Sequence, residues 1–360
     1  MKKPYVFIIS QFFEPNVDAV ISRLNQRGVS YFRLNTETIP LITTISLYEG
    51  AEELYTIISC DGKQVDTRCI TSVWRRRNGE FVYPNVSCAQ ERGFIRHESA
   101  SMLHGAFESM RCSWVNHFMS DYRANVKPYQ YEIAKQVGLT VSRTLITNDP
   151  DAVKEFARSL PVPVLFKPVI GLTTGGPPNF SAEIQATYDG KFNIPPAIPE
   201  SRGSEVRALF SQVLDDDKIK HLNTIAGCPA IFQEYIKKRV EIRITIIGND
   251  MFPVEIHSQD REDTKVDFRA QTLLETSQFL HHEVHKLPDD ISAKLMKLMK
   301  ELNLVFGCVD MILTPNGEYV FLEVNTAGQW GWIEHLTGLK ITDALTDLLI
   351  RGSIDSEYNV

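Results

Sequence analysis

Apolar and polar positions alternate along this chain with two periods, near 2 and near 3.6, and the switches between them predict its elements. Close to the start, the run Tyr5-Val6-Phe7-Ile8-Ile9 predicts a buried strand over 6–10. A helical pattern follows over about 16–26, with Gly28 placed to end it, and then a strand over 31–34. These three make a βαβ unit. A polar hairpin around Cys60-Asp61-Gly62-Lys63, a strand at Ser72-Val73-Trp74 and a long helix over about 89–110 complete a first lobe. Near Asn125 a new helical pattern begins, in which Tyr129, Ile133, Ala134 and Val137 recur until Gly138. A helix over about 151–159 leads into the apolar run 162–169. The stretch 171–203, rich in glycine and proline, predicts a long binding loop or lid, and Gly175-Gly176 within it suits either a phosphate cradle or a plain turn.

Two hairpins carry the last third of the chain. The first joins 240–247 to 251–257 through Gly248-Asn249-Asp250; the second joins 307–313 to 318–325 through Thr314-Pro315-Asn316-Gly317. Helices over about 289–302 and 340–350 accompany them. In the second hairpin Asp310, Glu323 and Asn325 are the only polar side chains of strongly apolar strands. If Leu313 pairs with Glu318, Asp310 falls opposite Phe321 and all three share one face. Hard oxygen ligands gathered in this way suit magnesium, which is held by a few carboxylates together with nucleotide phosphates. The competing reading is the outer face of a half-solvated hairpin.

On the first hairpin, Glu241, Arg243 and Thr245 share a face that, with Ile247 opposite Met251, also carries Glu255 and His257. Arg243 can hold a transferring phosphate or form a cross-strand ion pair with Glu255. His257 reads as structural or substrate-orienting. Lys167, inside Val164-Leu165-Phe166-Lys167-Pro168, needs an anion in its apolar strand unless it reaches out to solvent at the strand end. Phe232-Gln233-Glu234-Tyr235-Ile236 is a crossover strand whose backbone can bond a purine edge, with Glu241 beyond it for ribose hydroxyls. Arg75-Arg76-Arg77 and Lys237-Lys238-Arg239 read as solvated basic faces, with docking of an acidic partner as the lesser reading.

Composition narrows the classes. At 360 residues the chain suits two or three lobes around a cleft, and 43% hydrophobic with 23% charged residues is ordinary for a soluble globular protein. No lipid-spanning segment is visible, so no membrane role is expected. The six cysteines are scattered without zinc-like or disulfide-like spacing, which implies reduced thiols in a cytoplasm. A net charge of -7 argues against a nucleic-acid partner and leaves any acidic substrate to local basic residues.

Read in order, Lys127, Phe166-Lys167-Pro168, Gln233-Glu234-Tyr235-Ile236, Glu241-Ile242-Arg243, Asp310 and Glu323-Val324-Asn325 resemble the nucleotide and metal motifs of the ATP-grasp superfamily. The first lobe resembles its pre-ATP-grasp domain. Trp74-Arg75-Arg76-Arg77, Glu255-Ile256-His257-Ser258-Gln259, Asp267-Phe268-Arg269 and the run from Asn325 through Gly328-Gln329-Trp330-Gly331-Trp332 to Glu334 resemble the graspetide synthetases, the microviridin-type peptide macrocyclases. The resemblance implies an α/β (α+β) ATP-grasp fold in three parts: an N-terminal pre-ATP-grasp domain over 1–120, a central lobe with a mobile loop over 121–235 and a C-terminal lobe over 236–360. It implies ATP and Mg2+ as cofactors. Lys127, Lys167, Gln233, Glu234, Tyr235, Ile236 and Glu241 would bind nucleotide, and Asp310, Glu323 and Asn325 the metal. Arg243 would meet the transferring phosphate, with Arg269 near that phosphate or the acidic substrate.

The implied activity is ATP-dependent activation of Asp or Glu side chains of a ribosomal precursor peptide, leader plus core, followed by intramolecular ester or amide closure onto Thr, Ser or Lys. A homodimer would fit the family. The alternative enzyme is a RimK-like ligase adding free amino acids such as glutamate to a peptide or small acid; a nucleotide-binding regulator without catalysis would be expected to lack metal ligands.

Overall fold

The computed structural model describes residues 3–50, 53–83, 86, 88–169, 173–174, 207–208, 211–269 and 280–352. The expected loop over 171–203, with its Gly175-Gly176 pair, falls outside them except for Thr173 and Thr174.

The N-terminal part begins as its pattern predicts, with β1 (Tyr5–Ser10), α1 (Pro15–Gln26) and β2 (Ser30–Asn35). Three antiparallel strands follow, β3 (Thr44–Glu49), β4 (Leu54–Cys60) and β5 (Lys63–Asp66), then β6 (Ser72–Arg75), α2 (Ala89–Glu108) and β7 (Ser113–Val115). β2-β1-β6-β7 form a parallel sheet. Its central strand β1 is continuously apolar over Val6–Ile9 because both faces are covered. Phe7, Ile9, Leu34 and Val73 pack toward Leu103 and Phe107 of α2, while Val6, Ile8 and Trp74 pack with Val17, Val20 and Leu24 of α1.

The chain continues through α3 (Phe118–Ala124), α4 (Lys127–Gln136), β8 (Thr140–Val141), β9 (Thr144–Thr147), α5 (Pro150–Arg158) and β10 (Val164–Pro168). β11 (Thr173–Thr174) pairs with β12 (Arg207–Ala208). After β13 (Gln212–Val213), α6 (Asp216–Lys220) and β14 (Ala230–Glu234), a small antiparallel sheet is complete in the order β13-β10-β14-β9. Val153, Val164 and Phe232 form its core.

The last third holds β15 (Val240–Ile247), β16 (Asp250–Ile256), β17 (His282–Val284), α7 (Asp289–Glu301), β18 (Phe306–Leu313), β19 (Tyr319–Asn325), α8 (Gly331–Thr337) and α9 (Ile341–Arg351). Its six-stranded sheet has the order β17-β16-β15-β18-β19-β8. On one face Ile242, Ile244, Ile246, Val309, Met311, Phe321 and Val324 are buried under α4 and α7. Near the β15–β16 turn the other face is buried as well, where Ile247, Phe306 and Cys308 join Val6, Ile8, Trp74, Trp330 and α9 in one core shared with the N-terminal sheet. That shared core fixes the first lobe over the sheet face that carries the polar residues.

Both hairpin registers differ from the expected ones. In the first, Ile247 pairs with Asp250, leaving a two-residue turn whose Gly248 has φ 57°, a left-handed value that costs glycine little. Ile246, not Ile247, is then opposite Met251. The slip turns Glu255 to the opposite face from Arg243, because it now lies across from Ile242. In the second hairpin Leu313 pairs with Tyr319, and the register shifts between Met311, opposite Phe321, and Asp310, opposite Glu323. Leu322 is the extra residue of a β-bulge. Without it Asp310 would face Leu322, and Glu323 would point into the core.

Candidate active site

The bulge brings Asp310 and Glu323 directly across from each other, and β15 adds Arg243 as the neighbour of Asp310 on the far side. Arg243 Nη1 donates to both Asp310 oxygens, at 2.9 and 2.7 Å, and Nη2 to the Gln329 carbonyl at 3.4 Å. The cross-strand pair of Arg243 with Glu255 does not form. Glu255 instead bonds His285 Nδ1 at 2.6 Å, and His285 Nε2 meets the Tyr319 hydroxyl at 2.8 Å. His257, just beyond the end of β16, has its Nε2 3.4 Å from Glu255 and its ring 4.7 Å from that of His281, which suits a structural part.

Glu323 accepts from Lys127 Nζ at 2.6 Å. Lys127 is the first residue of α4. Lys167, on β10 opposite Ile231, lies in the electrostatic reach of Glu323, Lys127, Arg269 and Asp267. Among the described residues it makes no hydrogen bond or ion pair. Burial pulls its ammonium below the usual value, against the opposing influence of Glu323. Glu323 behaves in the opposite sense: burial raises its pKa, but Lys127 and Lys167 bring it down to about 2. Asp310 is raised, by burial first and by Glu323 as well, against Arg243. Two facing carboxylates, one pushed up and one held down, form a donor set that a divalent cation would neutralise. Asn325 extends the set along the same face; its Oδ1 already accepts from the Ala327 amide at 3.0 Å and keeps a second lone pair.

The remaining residues divide. Arg269 is fixed by Asp267, with Nε at 2.8 Å and Nη2 at 2.6 Å from its two oxygens. Burial raises the Asp267 pKa, but Arg269 holds it at about 2. Arg269 also lies within the field of Glu323 and Asp310, so the structure gathers Lys127, Lys167, Arg243, Arg269, Asp310, Glu323 and Asn325 at one cleft. Glu241 is buried, bonded by Lys238 at 2.5 Å, and raised in pKa by that burial. The Gln233 side chain points inward to Ser142 and Thr144, at 3.1 and 2.9 Å. Glu234 accepts from the Arg143 amide at 2.8 Å, and the Tyr235 amide donates to the Pro163 carbonyl at 2.8 Å. From Phe232 to Ile236, the side chain of Gln233 and the amides of Glu234 and Tyr235 are therefore already engaged, the Glu234 amide by the Arg143 carbonyl at 3.0 Å.

Sequence reasoning missed several supports. The basic clusters are solvated only in part: Arg77, Lys237 and Arg239 are exposed, but Lys238 is buried against Glu241, Arg75 pairs with Asp121 at 3.0 Å, and Arg76 is buried. Asp121 is pushed up to about 6 by burial, against Arg75 and Asn116. Asn125 donates to Thr326, in the loop that follows Asn325, at 3.1 Å. The one available signal was the spacing of Asp267 two residues before Arg269.

Fold and site together define an ATP-grasp ligase: a paired-carboxylate hairpin, one lysine from the start of α4 and another from a separate small sheet, and a parallel-stranded lobe before them. The family described as "MvdD pre-ATP grasp domain" matches residues 8–122. No curated protein sequence matches the chain. Among solved structures it is similar to the macrocyclase MdnC bound with precursor peptide MdnA from Microcystis aeruginosa MRC, at 25% identity and TM-score 0.78, covering 96% of this chain and 99% of that one. It is similar to a Chryseobacterium gregarium RiPP-associated ATP-grasp ligase in complex with ADP and a leader and core peptide, at 26% identity and TM-score 0.80, covering 97% of each chain. The macrocyclase MdnB from Microcystis aeruginosa MRC gives 27% identity and TM-score 0.73, covering 96% of this chain and 99% of that one. Over residues 8–122 the chain thus carries a pre-ATP-grasp domain of the MvdD kind, and along nearly its whole length it is similar to peptide-modifying ATP-grasp ligases.

Proposed function

We propose that this chain uses ATP to activate Asp or Glu side chains of a ribosomal precursor peptide and closes them into intramolecular ester or amide crosslinks. The observation that carries this reading is the direct opposition of Asp310 and Glu323 on the face that also presents Arg243, with Lys127 and Lys167 beside Glu323. The two macrocyclases from Microcystis aeruginosa and the peptide complex from Chryseobacterium gregarium support the substrate class. They favour it over addition of free amino acids.

Asp310, Glu323 and Asn325 would hold magnesium, which supplies positive charge to the polyphosphate. Lys127, Lys167 and Arg269 would meet phosphate oxygens, and the backbone of Glu234 and Ile236, with Glu241 behind them, would take the base and ribose. A substrate carboxylate oxygen attacks the γ-phosphorus while Arg243 offsets charge on the transferring group; the bond to ADP breaks and ADP leaves with the electron pair. A Thr, Ser or Lys side chain then attacks the acyl carbon and gives up its proton, and inorganic phosphate departs. A closed cleft keeps water from taking that place. We take the lobes to divide near 120 and 235, and the protein to act in the cytoplasm as a homodimer. Exposed Leu47, Tyr48 and Leu54 on the β3–β4 hairpin support association. All six cysteines are free, and no helix of the described residues is long and apolar enough to cross a membrane.

The experiment combines the protein, ATP, magnesium and the peptide encoded beside its gene, read by mass spectrometry. Loss of one water per ring with matching ADP release is expected. A gain in peptide mass, or ADP release that ignores the peptide, would refute the macrocyclase reading.

A further inference from the structure

Arg76 leaves the carboxyl end of β6, where its amide donates to the Ile9 carbonyl of β1 at 2.8 Å, beside the N-terminus of α1. Parallel sheets bind ligands in the crevice at that end, and a helix N-terminus there favours anions. Arg76 is only 3% exposed, yet none of its three guanidinium nitrogens has a hydrogen-bond partner. The carboxylate of Glu14, equally buried, stops 3.7 Å from Arg76 Nη2, and both of its oxygens are also without hydrogen bonds. Burial lowers the Arg76 pKa to about 10; Glu14 opposes this, while Arg77 and Arg243 add repulsion.

The other neighbours of Arg76 belong to the ligase sheet and the loop after Asn325. The Arg76 guanidinium sits 5.0 Å from the centre of the Trp330 ring. Gly328 runs so close beneath that a Cβ on it would come 2.6 Å from Arg243 Nη2. Arg243 keeps its Nε unpartnered although its other nitrogens hold Asp310 and Gln329. Two arginines from different lobes therefore bring unmet donors into one buried region, an arrangement that costs free energy until an anion enters.

We propose that Arg76 is a substrate-binding residue from the N-terminal lobe, taking the side-chain carboxylate that is to be activated and holding it beside Arg243. The assignment rests on the function proposed above. A planar carboxylate matches the guanidinium fork with two hydrogen bonds, and Glu14 marks a place where such a group already fits without forming them. The lysines for phosphate stand on the Glu323 side, whereas Arg76 approaches from the opposite lobe. In-line transfer requires the attacking oxygen to arrive on the side away from ADP.

The test uses the full chain with ATP, magnesium and the neighbouring peptide, plus its core segment with Asp and Glu intact or replaced by Asn and Gln. Arg76→Gln is expected to lower kcat/KM for peptide dehydration about 100-fold. ADP affinity should stay within about twofold, as for a site not shared with nucleotide. The carboxylate core segment should inhibit the wild type better than the amide segment, and the variant should not distinguish them. Arg76→Lys, which keeps charge and volume, covers the case in which Arg76→Gln fails to fold; it should lose about tenfold in kcat/KM with ADP binding intact. Turnover by Arg76→Lys within about threefold of wild type overturns the assignment, as does an equal loss of ADP affinity. Should inorganic phosphate compete with the wild type's peptide while the amide segment inhibits as well as the carboxylate one, Arg76 serves the phosphoryl group and the assignment also falls. A wild type that leaves the peptide unmodified removes the proposed function and this inference together, whereas an active wild type with an indifferent variant removes this inference alone.

Discussion

One face of β15 presents Ile242, Ile244 and Ile246, sealed under α4 and α7; the other presents Glu241, Arg243 and Thr245, one step out of phase and aimed at the cleft. β18 and β19 repeat the division, with Val309, Met311, Phe321 and Val324 against Asp310, Glu323 and Asn325. The apolar face needs no partner beyond its own packing. On the polar face Arg243 and Asp310 hold one another, Glu323 depends on Lys127, and Arg269 on Asp267. Stability and chemistry are therefore separable within the same three strands, and single substitutions should move one while leaving the other.

The largest separation is expected from Glu323→Gln, which keeps an acceptor for Lys127 but removes a metal charge. Peptide-dependent ADP release should fall about 1000-fold while circular dichroism stays near wild type. Arg243→Lys should follow, with about 100-fold lower kcat, since an ammonium cannot reproduce the two-point hold on Asp310; steady-state ADP release measures it. Ile244→Ala reverses the pattern. It should cost about 3 kcal/mol in urea unfolding with kcat unchanged in the folded fraction. Smallest is Asp267→Asn. The Asp267 pKa is held near 2, below an ordinary 3.8, so its ionised form stabilises the native state above pH 4, and that contribution is lost as pH falls toward 2. The variant should be less stable than wild type by about 2 kcal/mol at pH 7, and the gap should close by pH 2 in paired unfolding curves.

Much of this was legible because polarity in an apolar strand is a local signal. Asp310, Glu323 and Asn325 stand out by composition alone, and Gly28, Gly138 and the alternating runs mark elements whose ends agree within a few residues with those observed. What was not legible depends on register. The period-2 rule places Asp310 and Glu323 on one face only if the pairing is known, and the assumed pairing reached the right face through the wrong partner, Phe321 instead of Glu323. In the first hairpin the two-residue turn at Gly248 and Asn249 shifted the partners by one, which was enough to send Glu255 to His285 instead of Arg243. Arg76 was misread for a different reason: it is buried with Trp330, a residue far along the chain, 5.0 Å from its guanidinium, and no neighbouring residue announces that contact.

Leu322 lets the two ends of the second hairpin be spelled independently. Lineages can lengthen or shorten the turn beyond Leu313 and Tyr319 without disturbing the carboxylate end, provided Leu322 never takes a place in the ladder. Loss of Leu322 itself would keep Phe321 opposite Met311 and Glu323 opposite Asp310, whereas one further residue inserted beside it and paired would turn Glu323 and Asn325 inward as a block.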